Sequence, residues 1–115
     1  MEFFNGSVQA NLEDAIINAF FEAELMSAKP VQFFKLDERN FQSHFKKRIV
    51  ERINERIAAN GSVSLLACEI AEKCKGSYDD EMLMITAQSA VPLFVAKDYH
   101  DYLAKKRIER SLNVA

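Results

Sequence analysis

An all-α fold, a compact bundle of about five helices, is what this sequence predicts, and three observations carry that expectation. Glycine (3) and proline (2) are scarce among 115 residues, too few for the turns of an all-β protein of this size. Apolar residues recur at three- and four-residue intervals in five separate stretches. The chain is 49% hydrophobic and 28% charged, which supplies both a core and a solvated surface and is unlike a disordered segment. A chain this long has room for one domain. That domain is expected over residues 11–115, behind a flexible leader at residues 1–10, where Asn5-Gly6-Ser7 is a turn signal.

The first helix is expected from Asn11, as N-cap, to about Met26, with Pro30 beyond it. Leu12, Ile16, Phe20 and Ala23 mark one face, and Ile17, Phe21 and Leu25 widen it, so this helix belongs at the centre. Asp14 falls in the first turn, where an acid favours the helix dipole. The second helix is capped by Asp37 and carries Phe41, Phe45, Ile49, Ile53 and Ile57 at a spacing of four. Phe45 and Ile49 are expected among the most buried residues. Asn60-Gly61 supplies the left-handed stop.

A short third helix starts at Ser62 or Ser64, lines one side with Leu66, Ile70 and Cys74, and closes at Gly76. The fourth opens on Ser77-Tyr78-Asp79-Asp80, a serine with an acid three residues on, and runs to Ala90 before Pro92. The fifth spans about Phe94 to Leu112, with Tyr99, Tyr102, Leu103, Ile108 and Leu112 as its apolar positions.

Composition excludes several functions. A net charge of −2 and a pI near 5.7 are unlike a protein built to grip bare nucleic acid, so tight duplex binding is not expected. Cys68 and Cys74 lie six apart on one helix, about 600° round its axis, which rules out a bond between them and predicts two free, buried thiols of a reducing compartment. The longest apolar run, Ala90 to Ala96, contains Pro92 and is far shorter than the ~20 residues a membrane span needs. With no signal peptide at Met1-Glu2-Phe3-Phe4, a cytoplasmic protein is expected.

Catalytic material is poor. His44 and His100 belong to no constellation of nucleophile, base or metal ligands. Asp79, Asp80 and Glu81 lack the alternate spacing of a calcium loop. Glycines isolated at turns make no phosphate cradle. The expectation is therefore no active site, no cofactor, no metal and no nucleotide hydrolysis. Residues 35–56 carry seven Lys/Arg against four acids, but the acids are interleaved, as on a solvated face. The third and fourth helices could be drawn as a helix-turn-helix. Its recognition helix would then begin Tyr78-Asp79-Asp80-Glu81, with acids turned toward phosphates.

The fifth helix is the candidate contact surface. Tyr99 and Leu103 share one face while Ile108 and Leu112 share another with Ala104, and one helix cannot bury both against a small bundle. Tyr102 and Arg107 are residue types that interfaces favour as anchors, with Lys106 and Arg110 as a charged rim. Tyr102, Lys106, Arg107, Ile108, Arg110 and Leu112 are the expected partner-binding residues.

Over residues 11–112 the chain resembles the N-terminal domain of bacterial replicative hexameric helicases, a fold shared with the C-terminal helicase-binding domain of bacterial primases. The likeness runs from Glu13-Asp14-Ala15-Ile16-Ile17-Asn18-Ala19-Phe20, through Leu36-Asp37-Glu38-Arg39-Asn40-Phe41, His44-Phe45 and Ile49/Ile53. It continues through Gly61-Ser62-Val63-Ser64-Leu65-Leu66-Ala67 with Glu69-Ile70, Ala87 to Val91, Asp98-Tyr99, Leu103, Arg107 and Leu112. The family's opening Glu-Gln pair, the Asp-Leu start of its third helix and its following helical hairpin are missing. The resemblance implies a non-catalytic docking module of the DNA-replication machinery, mediating or modulating primase–helicase association, with a replicative helicase or primase as partner. A loose opening at residues 1–10 suits the primase-type version. The rival readings are a helix-turn-helix DNA-binding regulator and a generic oligomerising module, a homo-oligomer.

Overall fold

The computed structural model describes the backbone of residues 3–112 and side chains from Val8 onward. Among the described residues there are five α-helices, one 3-10 turn and no strand: α1 (Phe3–Ala23), the turn Glu38–Asn40, α2 (His44–Ala58), α3 (Val63–Lys73), α4 (Asp79–Thr86) and α5 (Leu93–Leu112). The expected all-α bundle of five helices is present.

Helix α1 is the axis of the domain. Every residue from Glu13 to Phe21 is buried, so it is enclosed on all sides. The other four helices pack around it, α5 most extensively. Ile16, Ile17 and Phe20 from α1 meet Leu36, Phe41, Ile53, Leu66, Ile85 and Leu103 in one core, all of them essentially inaccessible to solvent. Phe33 and Phe34, from the segment joining α1 to the 3-10 turn, close it by stacking on Phe20 at 5.1 Å and edge-on at 5.0 Å.

Several local expectations are corrected. The first helix begins at Phe3, so residues 3–10 are helical and not a leader; Asn11 lies inside the helix as an exposed residue and caps nothing. With the loose opening goes the reason for preferring the primase-type version. The helix ends at Ala23, leaving Leu25 and Met26 in an exposed turn. Asp37 caps the 3-10 turn, its carboxylate accepting from the Arg39 N–H at 3.0 Å; α2 is capped instead by Ser43. Phe45 is half-buried, packed against the core with the Tyr78 ring stacked on it at 4.5 Å.

Asn60, not Gly61, adopts the left-handed conformation that ends α2, at φ 57°. A Cβ at Gly61 would meet the Arg56 side chain, which would have to shift from its contacts with Ser62 and Glu69. Ser62 caps α3 as expected, accepting from the Leu65 N–H at 3.2 Å, and Gly76 leaves that helix's C-terminal turn at φ 86°. No side-chain cap forms at Ser77; Asp79 reaches back to accept from the Gly76 N–H at 2.9 Å, and α4 stops at Thr86. Both cysteines are free, but Cys68 is exposed and Cys74 half-buried. No helix among the described residues is long and apolar enough to cross a membrane.

Candidate functional site

Pro92 ends the α4–α5 connection and offers its carbonyl to the N–H groups of Val95 and Ala96, each at 3.0 Å, so it starts α5 without losing a needed donor. From there the helix rotates by about 100° per residue. Ala96, His100 and Leu103 come to lie inward and are buried. Tyr102, Ile108 and Leu112 lie in an outward sector about 120° wide and are 44%, 51% and 76% exposed. Lys106 lies about 40° round the helix from Tyr102, while Arg110 lies about 20° from the direction of Leu103 and is exposed near the end of the helix. The Lys106 ammonium sits 5.4 Å from the Tyr102 ring centroid and 3.3 Å from the Glu109 carboxylate. The outward side of α5 therefore gathers four of the six expected contact residues, and Arg110 is exposed beside them on the Leu103 side.

Arg107 is the exception. It falls on the same side of the helix as His100 and Leu103 and turns inward. Its Nε donates to Asn40 Oδ1 at 2.7 Å and Nη2 lies 3.9 Å from Asp37 Oδ2. It clamps α5 to the 3-10 turn and is not a free anchor.

Beneath this surface runs a buried polar network. Asn40, 1% exposed, accepts from Arg107 through Oδ1 and turns its Nδ2 toward His100 Nε2 at 3.1 Å. The Asp37 N–H donates to the same ring nitrogen at 3.0 Å, so Nε2 is an acceptor and the ring proton resides on Nδ1. Gln9 extends the chain to α1, donating to the Asn40 carbonyl at 3.1 Å and to Glu13 Oε2 at 2.7 Å. Glu13 Oε2 also accepts from the Gln42 N–H at 2.7 Å. Lys46 then lies 3.3 Å from Glu13 and 2.9 Å from Asp14, all three side chains under 10% exposed. Three segments far apart in sequence are fastened together by these contacts.

The electrostatics follow from burial. Burial raises the Asp14 carboxyl above its ordinary value, against the pull of Lys46. The Arg39 guanidinium holds Asp37 down at about 2. Burial lowers His100 below 6.5. Above pH 6.5 the ring is neutral in both folded and unfolded chains. As pH falls below 6.5 the unfolded chain takes up a proton that the fold resists, so stability declines toward the folded-state value and then levels. The urea midpoint is expected to fall between about pH 7.5 and about pH 5.5, and to lose much of that slope in His100→Gln. An unchanged slope in the variant would show that His100 does not set it.

Of the two histidines, His100 is engaged by the Asp37 N–H and Asn40, and His44 is exposed at the start of α2. Among the described residues no three His, Cys, Asp or Glu side chains converge as metal ligands would. Two open grooves lie among the described residues. One, about 470 Å³, is lined by Phe33, Phe34, Asn54 and Ile57, and the other, about 370 Å³, by Ala19, Ala23, Pro30 and Leu93. Comparison with protein-family models, with curated proteins and with solved structures found no match.

Proposed function

We propose that this chain is a non-catalytic docking module of the DNA-replication machinery, working in the cytoplasm to mediate or modulate the association of primase with replicative helicase. The observation that carries docking is the outer surface of α5, where Tyr102, Ile108 and Leu112 are solvent-exposed on a helix whose opposite side is locked into the core. Apolar anchors beside Lys106 and Arg110 are the composition expected of an interface centre and its rim. The choice of partner rests on the family resemblance of residues 11–112. The helix-turn-helix alternative is disfavoured because Asp79 and Asp80 stand exposed at the start of α4, where a recognition helix would meet phosphates.

The test is titration of the purified chain against a replicative helicase and against a primase. The triple variant Tyr102→Ala, Ile108→Ser, Leu112→Ser is expected to keep its helical circular dichroism and to bind at least about tenfold more weakly, as loss of interface anchors does. Undiminished affinity in a folded variant would remove α5 as the docking surface. Submicromolar affinity for random duplex DNA at physiological salt, with no affinity for either protein, would replace the docking reading with a DNA-binding one.

A further inference from the structure

The outward face of α5 carries a second pattern, independent of any replication partner. Phe94, Asp98, Asp101, Lys105, Ile108 and Leu112 follow one another at intervals of four, three, four, three and four, the spacing of a coiled-coil seam. At about 100° per residue all six fall within a sector about 80° wide. All six are exposed, Phe94 by 71% and Leu112 by 76%. The seam has apolar ends and a charged centre, and among the described residues no other element covers it.

We propose that the occupant of this seam is a second copy of the chain, its α5 antiparallel to the first about a two-fold axis level with Leu103. Charge complementarity selects that arrangement. In the antiparallel register centred on Leu103, Phe94 faces Leu112 of the other copy, and Asp101 faces Lys105 of the other copy, twice over by symmetry. Asp98, opposite Ile108, lies one turn from the same lysine. Tyr102 meets its own counterpart on the flank of the axis. A parallel pair would set Asp98, Asp101 and Lys105 each against itself. Sliding the antiparallel pair by one heptad in one direction would oppose Asp98 to Asp101, and in the other would leave Asp101 against Leu112. Like charges brought together disfavour the parallel pair and the first slide, and the second slide sets both Asp101 and Lys105 against apolar side chains where the chosen register sets only Asp98.

A helix pair of this length buries on the order of 1,000 Å², the lower end for specific association, so the dimer is a weak one. It covers Ile108 and Leu112, which the docking reading also uses, and self-association would therefore compete with partner binding.

Sedimentation equilibrium of the full chain up to millimolar concentration tests the proposal. Wild type is expected to form a reversible dimer. Asp101→Lys gives a seam with lysines at 101 and 105, and Lys105→Asp gives one with aspartates at both. Each alone is expected to dimerise at least about tenfold more weakly, because like charges then meet at the centre. Both positions are exposed, and the surface pair Lys97–Asp101, at 3.3 Å, contributes little to folding. A one-to-one mixture of the two variants is expected to recover wild-type association, and so is the double swap Asp101→Lys/Lys105→Asp. A wild-type chain that stays monomeric, single variants that associate like wild type, or a mixture that fails to recover would each overturn the proposal. Binding of a helicase or primase by monomeric Asp101→Lys would leave the docking reading standing, so the two can fail separately.

Discussion

Phe20→Ala is expected to destabilise the domain by about 3–5 kcal/mol, the usual loss when a packed aromatic is cut back to a methyl group. Phe20 is fully buried on the enclosed helix, with Phe33 stacked 5.1 Å away and Phe34 edge-on at 5.0 Å. Both partners belong to the segment between α1 and the 3-10 turn, which forms no helix or strand between Ala23 and Glu38. That segment is held by side chains, so the truncation leaves a cavity and also frees two neighbouring rings. The loss is a large share of the ~5–15 kcal/mol that stabilises a typical domain. Phe45→Ala, at a half-buried ring with Tyr78 stacked on it, is expected to lose less, about 1–2 kcal/mol. Urea unfolding of the two variants with unchanged denaturant slope is the measurement. A Phe20→Ala loss below about 1 kcal/mol would mean that Phe33 and Phe34 refill the space.

The contrast between Phe20 and Phe45 shows what the sequence could and could not disclose. Periodicity located α5 closely and α2 from His44 onward, about six residues after the expected start at Asp37, and it identified Ile49, Ile53 and Leu103 as core, because each lies mid-helix where a face is covered along its length. Periodicity says nothing of where along a helix that cover ends, and Phe45, in the first turn of α2, is only half-buried. Local signals failed at α1 for a related reason. Asn5-Gly6-Ser7 has the composition of a turn, but α1 begins at Phe3 and runs through it. Asp14 has the look of a first-turn acid, yet it lies just past the midpoint of the helix Phe3–Ala23 and meets Lys46 on α2. The polar network was invisible because its members are 29 to 67 residues apart in its longest contacts. One clue was available: Glu13, Asp14 and Asn18 interrupt an apolar run that leaves no polar face on the helix, so they had to be buried with partners. Exposure of Tyr102, Ile108 and Leu112 was legible from their placement off the Leu103 face. The inward turn of Arg107 was not, since it depends on Asn40.

Lys46→Ala is expected to cost about 3–5 kcal/mol at neutral pH, the loss typical of breaking a buried ion pair by removing one partner. Two carboxyl groups share this ammonium, Glu13 at 3.3 Å and Asp14 at 2.9 Å, and all three residues are buried. The carboxyls differ in their other contacts. Glu13 also accepts from Gln9 and from the Gln42 N–H, each at 2.7 Å, whereas Asp14 Oδ1 has, among the described residues, no hydrogen-bond partner beyond its ion pair with Lys46. Asp14 is therefore the group left uncompensated when Lys46 is removed. Burial already raises its pKa above 3.8, and loss of the ammonium, which pulls the other way, raises it further. A carboxyl raised by folding stabilises the fold while it is protonated in both states, below 3.8, and that contribution is lost as pH rises through the folded value. The Lys46→Ala deficit is accordingly expected to shrink as pH is lowered from neutral toward 5. Asp14→Asn leaves one carboxyl, Glu13, opposite one ammonium, and is expected to change stability by less than about 1 kcal/mol. Chemical denaturation of the two variants at both pH values separates the possibilities. Equal losses in Asp14→Asn and Lys46→Ala, or a Lys46→Ala deficit independent of pH, would show that the lysine acts through the packing of its stem and not through the charge it neutralises.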